Sequence, residues 1–412
     1  MKKIINSADT FVQDTMEGII CAYGDKVKLL HNDFQVLVSN YPAKEGKVGV
    51  VTAGGSGHLP VFLGYVGKGL LDGCAVGEVF ASPAAAKMAD MIRACDRGNG
   101  VLCLYGNYNG DRFNFTMACE EVEFDDIKTK AVLVKDDVAS SPQENAEKRR
   151  GVAGMVYAFK IAGAAADNMM NLEEVAAVTT KALNNIRSMG VALSPCIVPK
   201  AGKPTFAIED DEIEIGMGIH GEAGIEVRKM MTADEIAETL VNTIIKDMPL
   251  KDGDEASVMV NGLGGTPLEE QLIVYRKVHQ ILSRSGVSIV MPHIGEYATS
   301  MEMAGLSVTI FKLDQELKEL LQAPAESKVG EKTILDSLYP GAEALLKHAS
   351  DPETAVMEAE KAAGQGSEAT RQMRAVHGRA AYSADRSIGI LDGGSVVGKL
   401  IFMGIADYYS AK

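Results

Sequence analysis

"KVGVVTAGGSGH", Lys47 to His58, decides the fold. Its first part, Val48 to Thr52, is a short apolar run that passes directly into a glycine loop. Such a run, bounded by turn residues and rich in β-branched side chains, predicts a strand buried on both faces. The same grammar recurs downstream. "GVLCLYGNYNGD" has a strand from Val101 to Leu104 before a polar loop ending at Asp111, and "KAVLVKDDVA" places Asp136 and Asp137 just past a third strand. Between them, "SPAAAKMADMIRACDRG" reads as a helix with Ser82 as its cap and Pro83 in its first turn. Strands alternating with helices predict a parallel α/β sheet. In such sheets the loops at the carboxyl ends of strands form the ligand crevice. Gly54 to His58, Asn107 to Asp111 and Asp136-Asp137 are therefore expected to converge.

From about Lys181 the pattern changes. "ALSPCIVPKAGKPTFAIEDDEIEIGMGIHGE" reads as extended segments joined by turns, and "ASVMVNGLGGTP", "GVSIVMPHIGEY" and "LSVTIFKL" are strands around the helical "EEQLIVYRKVHQILSRSG". The expected architecture is two α/β domains with mainly parallel or mixed sheets, residues 1–185 and 186–324, followed by a linker at 325–330 and a helical tail over 331–412. In the tail, Ser350 with Glu353 resembles a capping box.

The bulk numbers exclude several function classes. A length of 412 residues supports two or three domains with real cores. A net charge of −15 argues against nucleic acid or an anionic membrane as partner, while leaving room for a small phosphorylated ligand at a local site. No secretory signal or membrane span is legible, and the six cysteines form no CxxC pair, which fits a reducing cytoplasm and gives metal ligation by cysteine no support.

Chemistry concentrates on the glycine loops. "AGGSGH" can form an anion nest, but it is neither a Walker A motif nor a GxGxxG fingerprint. It also lacks the GxSxG spacing of a hydrolase nucleophile. In "GMGIHGEAG", Gly216 to Gly224, one histidine stands among four glycines with Glu222 two residues on; taken alone, the segment is a surface turn. His58 and His293 can be core histidines, and His31, His279, His348 and His377 lie in polar or helical surroundings. Asp111 is a base or a turn residue. An unhindered imidazole beside an aspartate suits a small polyhydroxylated carbonyl compound.

"GGSGH", "NYNGDRFNF", "KDDVA", "RRGVAG", "AGKPTF", "GIHGE", "NGLGGTPLEE" and "GEYATSMEMAGLSVTIFKLD" occur in that order. Together they resemble the substrate-binding portion of the dihydroxyacetone (glycerone) kinase family, over about residues 15 to 324. The resemblance implies that His220 attacks the ketone of a short ketose and holds it as a covalent hemiaminal. It makes Asp111 the base for the terminal hydroxyl, gives His58 a supporting role, and lines the substrate with Gly55, Ser56 and Gly57. It further implies a homodimer, with ATP and Mg²⁺ at a partner or neighbouring domain.

Two positions depart from the family pattern. Leu59 stands where a glutamate follows "GGSGH", and Gly106 replaces a lysine that reaches the substrate. Loss of that lysine is expected to enlarge the pocket for a four-carbon ketose such as erythrulose, or to weaken phosphoryl transfer. The tail motifs "VGEKTILDSLYPGAEAL" and "HGRAAYSADRSIGILDGGS" resemble the second half of the family's nucleotide domain. No GDxDxG magnesium cluster accompanies them, and Glu331, Asp336, Asp385 and Asp392 are widely spread. The chain is thus expected to bind no nucleotide tightly by itself and to depend on a nucleotide-binding subunit or phosphorelay protein. Two rivals stay open: a ketose sensor of the same fold without catalysis, and an assembly protein whose tail docks on a partner.

Overall fold

The computed structural model describes residues 2–325, 335–373 and 388–410. The expected linker residues 326–330, together with Glu331, His377 and Asp385, lie outside the described residues. The chain divides into two compact units, Met1–Ala325 and Glu326–Lys412.

The first unit holds two sheets. One comprises β1 (Val27–Leu29), β2 (Val36–Ser39), β3 (Gly49–Ser56), β4 (Gly73–Val79), β5 (Val101–Gly106) and β6 (Thr129–Val134), in the order β1-β2-β4-β3-β5-β6. β4, β3, β5 and β6 are parallel, and β1 and β2 add an antiparallel edge. The apolar run at Val48–Thr52 thus lies almost wholly within a buried central strand. After β3 the chain moves to β4 on one side, then crosses to β5 on the other. The carboxyl ends of β3 and β5 therefore flank a topological switch point, where a crevice opens.

The second sheet contains β7 (Ile186–Ser194), β8 (Glu212–Ile215), β9 (Glu226–Lys229), β10 (Glu255–Gly262), β11 (Ser288–Ile289), β12 (His293–Gly295) and β13 (Ala304–Leu313). It is mostly antiparallel, with β11 and β12 added parallel to β10.

Among its described residues this unit has eight α-helices: α1 (Phe11–Tyr23), α2 (Ala85–Cys95), α3 (Asn109–Glu123), α4 (Met155–Asp167), α5 (Leu172–Asn184), α6 (Ala233–Asp247), α7 (Leu268–Arg284) and α8 (Gln315–Gln322). Eleven of the 13 residues of α4 are buried, as expected of a helix that is apolar all round. It shares one core with Val50, Leu102 and Val134 of the first sheet and Met259 and Phe311 of the second. Phe159→Ala, at a fully buried α4 position, is expected to cost about 3–5 kcal/mol. Urea unfolding checks this, since an unchanged midpoint would mean that α4 carries little of the core.

Ser82 does not cap α2. That helix begins at Ala85 with Ala84 at its N-cap and no side-chain cap bond, and Ser82 turns instead toward the site. In the second unit, α9 (Leu335–Lys347), α10 (Pro352–Ala369) and α11 (Gly393–Ser410) pack around Ala359, Ala363 and Phe402. Asp351, not Ser350, caps α10, because Pro352 occupies the first helical position and the Asp351 side chain reaches Thr354 N–H.

Candidate functional site

β3 ends in Gly55-Ser56-Gly57-His58, and its loop is closely packed. The Ser56 hydroxyl donates to the Gly77 carbonyl at 2.7 Å. A Cβ on Gly55 would sit 2.7 Å from the backbone of Phe80 and Ala81, so only glycine lets the strand end approach that turn. The segment after β12 staples the loop from the other side: Thr299 N–H donates to His58 O, and Met301 N–H to Gly57 O.

The His58 ring is 1% exposed and stacks on Phe80 at 4.8 Å. Its Nδ1 faces the Thr299 carbonyl at 2.7 Å. A carbonyl only accepts, so Nδ1 carries the proton and Nε2 keeps its lone pair. Nε2 is buried without a hydrogen-bond partner. Burial first, then the neighbouring His220, hold His58 down at about 3, and it is neutral at physiological pH.

β5 leads through Asn107 and Tyr108 straight into α3, so Asp111, expected at the end of a loop, lies in the first turn of that helix. Burial pushes Asp111 up to about 6, against a hydrogen bond from Ser82 and the charge of His220, which pull the other way. Its Oδ1 is buried and without a partner. Two buried acceptors without partners thus lie past the ends of the strands flanking the switch point, His58 Nε2 after β3 and Asp111 Oδ1 after β5.

The second sheet supplies the third group. The turn between β8 and β9 carries His220, whose ring meets His58 edge-on at 4.7 Å, Phe80 at 5.3 Å and Tyr108 at 4.7 Å. His220 Nδ1 donates to Glu222 Oε1 at 2.8 Å, and the His220 backbone N–H donates to Glu222 Oε2 at 2.9 Å. Burial raises the Glu222 carboxyl, but the bond and charge of His220 outweigh that and leave it at about 2. With Nδ1 directed to the carboxylate, Nε2 is the nitrogen left with a lone pair. The glycines of this turn have a structural reason: a Cβ on Gly218 would lie 2.2 Å from Glu222 Oε2 and 2.5 Å from Arg150 Nη1.

Asp136 and Asp137, expected to converge with these loops, brace the scaffold instead. Asp136 accepts from the Val152 and Gly154 N–H groups and from Ser188, while Asp137 pairs with Arg150 at 2.9 Å. Arg150 in turn lies 4.0 Å from Glu222. His293 rests against Tyr157 and Ser257. The sequence reading gave no part to Phe80, Tyr108 or Arg150, read Ser82 only as a helix cap, and gave no role to Glu222. Only Glu222 carried a local signal, its place two residues after the histidine.

The Dak1 domain family matches residues 17–329, and the DAK2 domain family matches residues 288–407. The dihydroxyacetone-binding subunit of PTS-dependent dihydroxyacetone kinase 1 of Listeria innocua is 43% identical over 328 residues, 79% of this chain and 99% of that protein. The chain belongs to the dihydroxyacetone kinase family. The L-erythrulose kinase of Pectobacterium atrosepticum is 41% identical over 345 residues, covering 83% of this chain and 58% of that protein. A solved dihydroxyacetone kinase operon co-activator is 31% identical with a TM-score of 0.71, over 76% of this chain and 96% of that one.

Within this family member, the replacement at Gly106 opens no void. A Cβ there would come within 3.0 Å of the Tyr108 ring and 3.4 Å of Met155 Sδ. Tyr108, anchored by its hydroxyl to the Gly151 carbonyl at 2.9 Å, fills that space and presents its edge to His220. Leu59 is 40% exposed and lines a largely apolar cavity of about 380 Å³ beside the His58 loop.

Of Glu331, Asp336, Asp385 and Asp392 in the tail, only Asp336 and Asp392 lie among the described residues. Among the described residues no three His, Cys, Asp or Glu side chains gather as metal ligands. Asp392 is engaged at the start of α11, where its Oδ2 accepts from Ser395 N–H at 2.6 Å, and Asp336 is buried in the first turn of α9. No described helix is long and apolar enough to cross a membrane.

Proposed function

We propose that this chain is the ketose-binding component of a glycerone kinase-type phosphotransferase, and that it captures dihydroxyacetone or a close relative on His220. The observation that supports this reading is the Glu222-oriented His220 ring set 4.7 Å from the His58 ring, whose Nε2 is unpartnered, with the unpartnered Asp111 carboxyl within reach of the His220 charge.

In the proposed reaction, His220 Nε2 adds to the ketone carbon and the carbonyl π pair moves to oxygen. That oxygen takes up a proton as Nδ1 releases one toward Glu222, so the adduct has the summed mass of protein and ketose. Glu222 stabilises the imidazolium charge that develops, much as an aspartate does in a serine-protease triad. His58 Nε2 accepts a hydrogen bond from the captured sugar, and Gly55, Ser56 and Gly57 line it with backbone. Asp111 draws the proton from the terminal hydroxyl, whose oxygen then meets a phosphoryl group presented from outside this chain. Capture selects ketoses over glycerol, which has no carbonyl to attack.

The L-erythrulose kinase likeness supports a four-carbon ketose as the alternative substrate. The co-activator likeness favours a second reading, in which capture serves a regulator and no phosphoryl transfer follows. We take residues 1–185 and 186–324 as two domains, each built on one sheet, and the protein as a cytoplasmic homodimer.

The sequence carries no GDxDxG cluster to hold magnesium, so we assign the donor to a nucleotide-binding subunit or phosphorelay partner. The purified chain alone is expected to show no tight ATP·Mg²⁺ binding by calorimetry and no turnover of dihydroxyacetone or erythrulose, and to gain turnover when the partner is added. Robust ATP-dependent turnover by the lone chain would sink the external-donor assignment. Capture without turnover under any donor would leave the co-activator reading standing.

A further inference from the structure

β5 and α3, the strand and the helix that carries Asp111, hold a cysteine each: Cys103 on β5 and Cys119 on α3. Their sulfurs lie 3.9 Å apart. Cys103 is fully buried between sheet and helix, whereas Cys119 is half-buried and lines a cavity of about 700 Å³. Neither residue takes part in the ketose site, and the pairing was invisible to CxxC spacing.

We propose that Cys103 and Cys119 form a peroxide-reactive pair, in which Cys119 is the attacking sulfur and Cys103 closes the disulfide. Three features carry this. The sulfurs are already in contact, so a disulfide of about 2.05 Å requires roughly 2 Å of closure between one helix and one strand. Cys119 faces the cavity and Cys103 does not, which separates the attacking from the resolving thiol. The cavity wall includes Glu120, Glu123, Asp126 and Glu173 against Lys128, an acidic surround that admits a neutral hydroperoxide more readily than an anionic disulfide such as oxidised glutathione.

The thiol chemistry agrees with that division. A hydrogen bond from Cys103, helped by one from Thr129, brings Cys119 down to about 7 against its burial and the Glu120 charge. The same contact, with burial, raises Cys103 well above the usual thiol range. The thiolate is the nucleophile, so the two cysteines are poised for different steps.

The steps balance. The Cys119 thiolate attacks the terminal oxygen of the hydroperoxide, the O–O bond breaks, and the alkoxide (or hydroxide) leaves and is protonated, giving a sulfenic acid. Cys103 then attacks the Cys119 sulfur, its thiol proton joins the departing hydroxide as water, and the S–S bond forms. Two thiols lose two electrons together and the peroxide bond accepts them. Asp111 lies in the first turn of the same helix, so the crosslink ties together the two elements that position that carboxylate.

The test uses the full reduced chain treated with equimolar hydrogen peroxide, alkylated, and mapped by mass spectrometry without reduction. A Cys103–Cys119 linked peptide is expected, reversed by dithiothreitol. In Cys103→Ala, Cys119 is expected to accumulate as a sulfenic acid trapped by dimedone, and in Cys119→Ser the crosslink and the sulfenic acid at this site should both disappear. Far-ultraviolet circular dichroism confirms that each variant is folded, and differential alkylation of the wild-type chain gives a second measure independent of both. If the exposed Cys21 consumes the oxidant while both thiols stay free, the pair is ordinary core packing and the proposal is overturned. The readout is independent of ketose binding, so failure here leaves the function proposed above untouched.

Discussion

His220→Ala is expected to abolish the covalent ketose adduct, seen as loss of the one-ketose increment in the intact mass. The expected effect is all-or-none, because truncation removes the nucleophilic nitrogen itself and not merely a stabilising contact. The structure also says which residue to suspect if an adduct persists. His58 is neutral, with an unpartnered Nε2, and its ring is 4.7 Å from that of His220. It is nonetheless fully enclosed, stacked on Phe80 and tied to Thr299, so it is poorly placed to pyramidalise a ketone carbon. An adduct that survives His220→Ala but vanishes in the His220→Ala/His58→Ala double variant would move the capture role to His58. An adduct surviving in both would remove capture from this histidine pair.

Asp111→Asn should preserve capture while lowering phosphoryl transfer, measured with a competent donor partner, by about 10²–10⁴-fold. The substitution keeps the shape of the side chain and removes the proton acceptor. Its pH dependence is distinctive. The base acts only when ionised, and burial lifts Asp111 to about 6, so wild-type turnover should fall as pH drops through about 6. The asparagine variant should lose that limb.

Stability should move the opposite way. The folded carboxyl lies at about 6 against 3.8 for the free side chain, so between those values the folded state binds more protons than the unfolded one. Stability from this group is therefore present at low pH and declines as pH rises toward about 6. Above that, Asp111→Asn should gain about 2–3 kcal/mol over wild type at most. A variant that loses turnover while becoming more stable is the signature of a buried ionised base. Equal losses in capture and turnover would instead make Asp111 a substrate anchor.

Much of this protein is legible along the chain. The apolar runs at Val48, Val101 and the residues before Asp136 identify strands because a buried strand needs β-branched, unbroken apolar sequence, a purely local requirement. Glycine loops after those strands point to a crevice for the same reason, and the motif set around His58, Asp111 and His220 identifies the family. Local reading also misleads where two local roles compete. Ser82 looks like a cap, but its hydroxyl accepts from the Asn114 amide on α3, and Asp136 looks like a site residue, but it holds the turn before α4.

What only the tertiary structure decides is the chemical state of each group. The vacancy suggested by the glycine at 106 is closed by Tyr108, and the glycine at 218 makes room for Glu222 and Arg150. The tautomer of His58 depends on the Thr299 carbonyl, 241 positions away. The lift on Asp111 comes chiefly from burial, and the orientation of His220 joins a turn of the second sheet to loops of the first. Secondary structure is set by neighbours in sequence, whose periodicity can be read. Protonation and ring orientation are set by desolvation and hydrogen bonds from residues brought near only by folding, and those distances leave no periodic trace in the chain.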